Sequence, residues 1–509
     1  MNKFSRTTRT AAVAAIAGLS LSLSVPVVAQ SLETAPKSIV DSSRQGSLNI
    51  HKKADPSQTG EPSGKEDTSV SGTSLANVGF TLFKIKGIDL TTNEGILKAK
   101  DIKASDYLQA GVVDVNRVDK IGTEKTTGTD GNVTFSNLAL GAYLVVETAP
   151  LPGYTPAAPF IAFVPMTQDN KTTGGVEWNY DVHAYPKNYK ANEPTKKVED
   201  SGKNVGDTIR YTIEAFAQPL GESQNRTVFR IEDQLDERLT ASQADEVIVE
   251  VEGVDDLSRE TDYTVVVDGQ KVKIEFTDSG LGKLKNNAKV TVKIPTLVKH
   301  SGDGDVLNAA QVYENDPNTG QEKEPKNTPT VHTYYGGITF TKVSAKDGSA
   351  LQGAEFKVFG ATENQTCSEA VTKADQVQRI NNVDTWVSSE EESSKGTVII
   401  EGLHVNDKAD DNPKAEPNTT KNKFVKYCLV ETKSPVGFEL LPQPIEFEIT
   451  QAQKGQTIEI GTAGKIENLE DTTPNLPMTG GAGIGILAAL GALIIGAGAW
   501  LARRNSAKN

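Results

Sequence analysis

The chain has 509 residues, with 67 acidic against 53 basic side chains and a formal net charge of -14. That length exceeds what one hydrophobic core fills, and that charge implies no basic surface able to displace counterions from nucleic acid. Hydrophobic residues are 37% and charged residues 24%, the balance of a soluble globular protein, so three domains of ordinary size are expected between two unusual ends. The chain opens on Lys3, Arg6 and Arg9, followed by an apolar run over 11–28. Val27, Val28 and Ala29 then offer small residues to a signal peptidase, so a signal peptide over 1–29 is expected, cut after Ala29. Ser20, Ser22, Ser24 and Pro26 dilute the run too much for a membrane anchor.

Residues 47–51 alternate like a strand, and 56–72, rich in Ser, Gly, Pro and charge, read as a loop. Strands are predicted at 78–83, at 132–135 after the turn Asp130-Gly131, and at 143–147. Further strands are predicted at 205–213, 263–267, 271–276 and 290–294, with a short helical piece near 103–110. Val, Ile, Thr and aromatics at period two, divided by Gly, Asn, Asp and Pro, predict an all-β chain of antiparallel sandwiches. Two segments repeat each other. YLVVETAPLPGY at 143–154 matches YCLVETKSPVGF at 427–438, and each follows a Gly-aromatic strand, at 78–82 and 353–357. The first and last domains are therefore expected to be one fold used twice, with the middle one a relative. Proline-bearing junctions at 192–194 and 324–329 mark boundaries near 190 and 335. The two cysteines, Cys367 and Cys428, are expected to pair, because an even count in an exported chain favours a disulfide. Two thiols and five scattered histidines do not make a zinc site, and solvated charge is the reading of the loop holding Asp407, Asp410 and Asp411. No metal or cofactor is expected, and without a Ser-His-Asp order or a phosphate loop no enzyme is expected.

Near the end, Leu476-Pro477-Met478-Thr479-Gly480 precedes an apolar run over 482–502 and a basic tail of Arg503, Arg504 and Lys508. This order resembles the cell-wall sorting signal of Gram-positive surface proteins, so residues 473–509 are assigned to it. The resemblance implies that a sortase cuts between Thr479 and Gly480, holds the Thr479 acyl group as a thioester and passes it to an amine. The repeated segment resembles the E-box of pilins, which singles out Glu147 and Glu431. A Glu placed in a strand core is expected to be protonated at neutral pH.

The last domain, 336–472, resembles the CnaB-type sandwich, in which a Lys on the first strand and an Asn on the last join as an isopeptide beside an acid. The resemblance implies Lys342, Asn468 and Glu431 for those roles. The middle domain, 191–335, resembles the CnaA-type relative and implies Lys196, Asp233 and Asn315, with Lys197 and Asn308 as rivals because alternation does not fix which face is inward. The first domain, 30–190, is CnaB-like, with Lys52 on its opening strand and Glu147 on its E-box. Its residues 178–187, WNYDVHAYPK, resemble the pilin motif, with Ala184 where Val is usual. The resemblance implies that Lys187 attacks the Thr479 acyl-sortase of another subunit. With Lys187 so committed, no internal isopeptide is expected in this domain.

Together these motifs resemble the three-domain major pilins of sortase-assembled actinobacterial pili: tandem immunoglobulin-like domains on a secreted, wall-anchored shaft subunit supporting adhesion. The implied partners are pilin-specific and housekeeping sortases, other copies of the chain, minor pilins, peptidoglycan and a host receptor. The alternative is a monomeric wall-anchored adhesin, or a pilus tip or base subunit.

Overall fold

The computed structural model describes residues 40–56, 63–170, 175–221, 224–418 and 420–471. The expected signal peptide, Thr479 with its pentapeptide, the apolar run and the basic tail lie outside the described residues. Among the described residues no helix is long and apolar enough to cross a membrane.

The described chain is all-β, as its alternation predicts. In the first sandwich, Gly46–His51 pairs with Asp181–Ala184 in parallel and with Asn132–Leu138 antiparallel. The facing sheet runs Phe160–Val164, Gly141–Ala149, Gly79–Ile85, Val118–Thr126. Between them lie Leu48, Ile50, Phe80, Leu82, Phe135, Tyr143, Val145 and Val182. The strand Gly141–Ala149 is unusual in being buried on both faces. Its outward residues Ala142 and Leu144 pack on Leu90, Ala99 and Tyr107 from an insertion over 86–117. The insertion carries the helix Asn93–Ala99, whose N-cap Thr92 accepts the Gly95 N–H, and a short 3₁₀ turn, Ala104–Tyr107, where the helical piece was expected. With both faces covered, the period of two still sorts side chains, so Tyr143, Val145 and Glu147 share the core face.

The middle sandwich packs the sheet Thr195–Glu199, Thr208–Phe216, Lys289–Val298, Leu239–Ala241 against Tyr263–Asp268, Lys271–Phe276, Phe229–Gln234, Ala310–Glu314, Lys326–Asn327. The last sandwich repeats the first in outline. Its first strand, Val331–Ser344, runs antiparallel to Thr397–His404 and parallel to Lys465–Asn468, opposite a sheet built on Glu355–Ala361 and Lys426–Lys433. Tyr427, Leu429 and Glu431 face the core, whereas Cys428 and Val430 face a satellite cluster with Phe359 and Ala370. Cys428 is bonded there to Cys367 at the start of the helix Cys367–Ala370, with Cα atoms 5.5 Å apart, so the expected disulfide fastens a helix to the outer sheet face.

The two joints differ. Strand Val331–Ser344 first pairs with Asp305–Asn308 of the middle sandwich and then with Thr397–His404 of the last. The expected boundary near 335 thus falls inside one strand, and a single hydrophobic core runs through both sandwiches. Gly304 (φ 81°) and Gly455 (φ 69°) meet backbone to backbone at this joint, where a Cβ on Gly304 would lie 1.9 Å from the Gly455 nitrogen. The first sandwich touches the middle one through the Gln224 amide on Pro156 O (2.9 Å), the Asn318 amide on Ala157 O (3.2 Å), and Gly111 close against Asn318.

Candidate cross-linking sites

Each sandwich holds one lysine in its core beside a carboxyl and an asparagine. In the last sandwich, Lys342 stands on Val331–Ser344, Glu431 on Lys426–Lys433 and Asn468 at the end of Lys465–Asn468, all three buried. Lys342 Nζ donates to Asn468 Oδ1 and to Ile466 O (3.2 Å), and lies 3.7 Å from Glu431 Oε1. Asn468 Nδ2 donates to both Glu431 oxygens at 2.9 Å. The carboxyl therefore faces the nitrogen that must leave as well as the amine that would replace it. Burial pulls the Lys342 amine down to about 8 and pushes the Glu431 carboxyl up. A lysine at about 8 exposes roughly a hundredfold more free amine at neutral pH than an ordinary one. Both shifts favour the neutral pair, amine and acid, over the ion pair.

The first sandwich contains the same arrangement, contrary to expectation. Lys52, just past the strand Gly46–His51, is fully buried, with Nζ 2.8 Å from Glu147 Oε2 and donating to Asn188 Oδ1 at 2.5 Å and to Pro186 O at 3.3 Å. Asn188 Nδ2 donates to Glu147 Oε1 at 2.9 Å. Burial brings the Lys52 amine down to about 8. The parallel with the last sandwich extends to the backbone. The N–H ten residues past each glutamate, Ala157 and Leu441, donates to Oε2 at 3.0 and 2.8 Å. The Pro-Gly-aromatic turn of the repeat thus brings the chain back to orient the acid.

Asn188 lies one residue beyond the pilin motif at 178–187, so the resemblance does not reach it. In fact a further strand, Lys187–Lys190, follows and pairs in parallel with Lys53–Ala54. The signal was present in the spacings. Lysine to asparagine is 136 residues in the first domain and 126 in the last, and acid to asparagine is 41 and 37.

In the middle sandwich the fully buried Lys196 donates to Asp233 Oδ2 at 2.6 Å, with Nζ 4.9 Å from the centre of the Tyr211 ring. Burial pulls its amine down. The asparagine beside them is Asn308, whose Nδ2 lies 3.4 Å from the same oxygen. Asn315 is elsewhere. Its Oδ1 accepts from Thr227 N (2.9 Å) and Val228 N (3.2 Å), and its Nδ2 donates to Asn225 O and Asp316 O, so it clamps a loop with its hydrogen-bonding capacity filled. Lys197 points the other way and pairs with Glu199 at 3.2 Å.

Lys187 is exposed, and alternation explains why: its neighbour Asn188 is turned fully inward. Upstream, Tyr185 stacks on His51 with ring centres 4.6 Å apart, and its hydroxyl accepts the Asp67 N–H at 2.7 Å. Lys187 thus stands on a strand fixed on both sides. The three acidic residues of the 407–411 loop are engaged by backbone: Asp407 by Gln451 N, Asp410 by Asp200 N and Ser201 N, Asp411 by His332 N.

A family model for the Gram-positive pilin subunit D1, N-terminal domain, matches residues 43–189, and one for the SpaA prealbumin-like fold domain matches 336–463. The first is the sandwich carrying Lys52 and Lys187; the second is the sandwich carrying Lys342. A fimbrial subunit type 2 of Actinomyces naeslundii is 32% identical, over 96% of this chain and 94% of its own length. A fimbrial subunit type 1 of Actinomyces viscosus is 29% identical, over 93% and 92%. Among solved structures, the full-length major pilin SpaD from Corynebacterium diphtheriae superimposes with a TM-score of 0.65 at 32% identity, covering 85% of this chain and 99% of that one. Likeness of this extent, running through all three sandwiches, means that the chain belongs to the Gram-positive pilins, as a subunit of the pilus shaft.

Proposed function

We propose that this shaft pilin is a structural unit rather than an enzyme, joined head to tail by sortase from Lys187 of one subunit to Thr479 of the next and tied internally by three Lys–Asn isopeptides. The pairs are Lys52–Asn188, Lys196–Asn308 and Lys342–Asn468. The observation carrying the internal bonds is the recurrence, in each sandwich, of a buried lysine and asparagine on one carboxyl. In each reaction the free amine attacks the asparagine Cγ, the new Nζ–Cγ bond replaces Cγ–Nδ2, and ammonia leaves. The carboxyl relays one proton from Nζ to the departing nitrogen. This happens once per molecule, so Glu147, Asp233 and Glu431 act without turnover.

The intermolecular step is acyl transfer. The Lys187 amine attacks the Thr479 thioester on sortase, an amide forms and the enzyme's thiol is released. Identical contacts repeated head to tail build an open filament. Wall attachment follows if the last Thr479 is transferred to peptidoglycan, with housekeeping sortase and minor pilins as further partners. The supporting feature is the setting of Lys187, an exposed amine on a strand held by Lys53–Ala54 and directly before Asn188. A fixed amine loses less freedom on entering a cleft than a mobile one. Arg keeps the charge but stays protonated. As the sole shaft subunit, Lys187→Arg is therefore expected to fold, lose three ammonia molecules and be cleaved at Thr479, yet to give no high-mass ladder. Ladders of undiminished length would overturn the assignment and favour display as a single adhesin.

A further inference from the structure

The joint between the middle and last sandwiches buries a carboxyl–imidazole pair that the cross-linking chemistry does not use. Asp200 follows the strand Thr195–Glu199 of the middle sandwich, and His404 ends Thr397–His404 of the last. They are 1% and 0% exposed, and His404 Nε2 lies 3.1 Å from Asp200 Oδ2. The other ring nitrogen, Nδ1, lies 2.8 Å from Val405 O.

Both neighbours of the ring are acceptors. A carbonyl oxygen at Nδ1 calls for an N–H there, and the Asp200 carboxylate, 3.1 Å from Nε2 though not aligned as a hydrogen bond, favours a positively charged ring. Asn422 Nδ2, 3.2 Å from Nδ1, would suit a lone pair at that nitrogen. However, the carbonyl is closer, and Asn422 Nδ2 has its own bond to Val405 O at 2.9 Å. Asp200 Oδ1 accepts the Asp410 N–H at 2.7 Å, which leaves Oδ2 turned to the ring.

We infer that Asp200 and His404 form an interdomain proton-binding site, which tightens the joint between the two sandwiches while the imidazole carries both protons and loosens it when one leaves. On losing the Nε2 proton, the ring would present a lone pair to a buried carboxylate, an arrangement with no compensating hydrogen bond. The titratable groups around the ring are consistent with this. Asp410 adds a second negative charge, the Tyr335 ring packs edge-on at 5.6 Å, the Tyr427 hydroxyl donates to His404 O, and the Tyr211 phenol and Asp207 lie beyond Asp200 and Tyr335. Lys408, the cation on the neighbouring loop, is paired with Asp411 at 3.3 Å.

The direction of the pH effect follows. Burial alone would lower the imidazole, but the Asp200 carboxylate outweighs it and holds His404 above its ordinary value. Burial would raise Asp200, but the His404 charge and the Asp410 N–H outweigh it and hold the carboxyl below its ordinary value. The histidine's contribution is therefore complete below its unfolded value of about 6.5 and is lost as pH rises through the raised one, while the aspartate's persists down to about 3.9 and fades only below. The joint is tightest in mild acid and loosens toward alkaline pH. This goes beyond the pilus assignment and does not depend on it.

The test uses the whole mature chain with labelled histidines. At pH 6, long-range ¹H–¹⁵N correlation should show both ring nitrogens of His404 protonated, the signal being assigned by its loss in His404→Gln. His404 should titrate above the exposed histidines. As it does so, hydrogen-exchange protection of the Val205 and His404 amides, which cross the joint to Gly402 O (2.9 Å) and Asn204 Oδ1 (3.0 Å), should fall. The fall should be about tenfold for each pH unit by which the pair raises the ring. Asp200→Asn should abolish that pH dependence. A His404 ring carrying a proton on Nε2 alone at pH 6 would overturn the inference, as would protection unchanged through its titration.

Discussion

Asn308 and Asn315 are seven residues apart and both buried, one ending the strand Asp305–Asn308 and the other just past Ala310–Glu314, yet their environments differ completely. Asn308 shares Asp233 Oδ2 with Lys196; Asn315 spends both ends of its amide on backbone. Asn308→Ala should lose two ammonia molecules instead of three, read as intact mass against the value calculated for its own sequence. Asn315→Ala should still lose all three ammonia molecules but cost about 2 kcal/mol or more, because Thr227 N, Val228 N and two carbonyls lose their partner. Alternation could not separate these two asparagines, since register decides which face is inward and register is fixed by partner strands far away in sequence. Lys342, Glu431 and Asn468 were legible only through the resemblance to the CnaB-type sandwich, whose order of first-strand lysine, E-box acid and last-strand asparagine they follow. A second residue prediction concerns the acid. Glu431→Gln keeps the shape and removes the proton relay, so Lys342–Asn468 should remain unjoined in the folded chain and the melting temperature should fall, both readable in one preparation.

The strand bearing the repeated glutamate is covered on both faces in each outer sandwich, by an insertion in the first and by a disulfide-fastened helix in the last. The strands themselves were legible from β-branched alternation. The covers were not, because the 86–117 insertion and the helix Cys367–Ala370 are short, and their burial depends on packing against Leu144 and Cys428 rather than on any periodicity of their own. The disulfide spans a separation of 61 residues, for which loop entropy suggests stabilisation of up to about 4 kcal/mol. Cys367→Ser with Cys428→Ser should lower denaturant stability by no more than that, and should raise hydrogen exchange first in Cys367–Ala370 while the Glu431 site still forms its bond. Loss of the bond in that double variant would show that the helix, and not the strand alone, aligns the acid.

At the scale of the whole molecule, the continuous strand Val331–Ser344 welds the middle and last sandwiches, whereas the first is held to them by a handful of contacts. The adjacency of Lys187 and Asn188 then has a mechanical consequence. In a fibre joined by the proposed bonds and pulled from both ends, force enters each subunit at Lys187 and leaves at Thr479. From Lys187 it travels down the chain to Lys196, crosses to Asn308, follows the backbone to Lys342, crosses to Asn468 and exits. Residues 197–307 and 343–467 are bypassed by the bonds, and everything before Lys187 hangs beside the line of load. Apart from its last strand, Lys187–Lys190, the first sandwich bears no tension, so the proposed Lys52–Asn188 bond cannot serve as a tether. The proposed role of that bond is to hold the strand of Lys187 still while the amide to the next subunit is made. Single-molecule pulling of a polymer should accordingly give no step from the bypassed stretches 197–307 and 343–467. Polymers of Lys52→Ala, however few the variant forms, should stretch as the wild type does. Polymers of Lys196→Ala should give one new step per subunit, from a released stretch of about 110 residues at roughly 3.5 Å each.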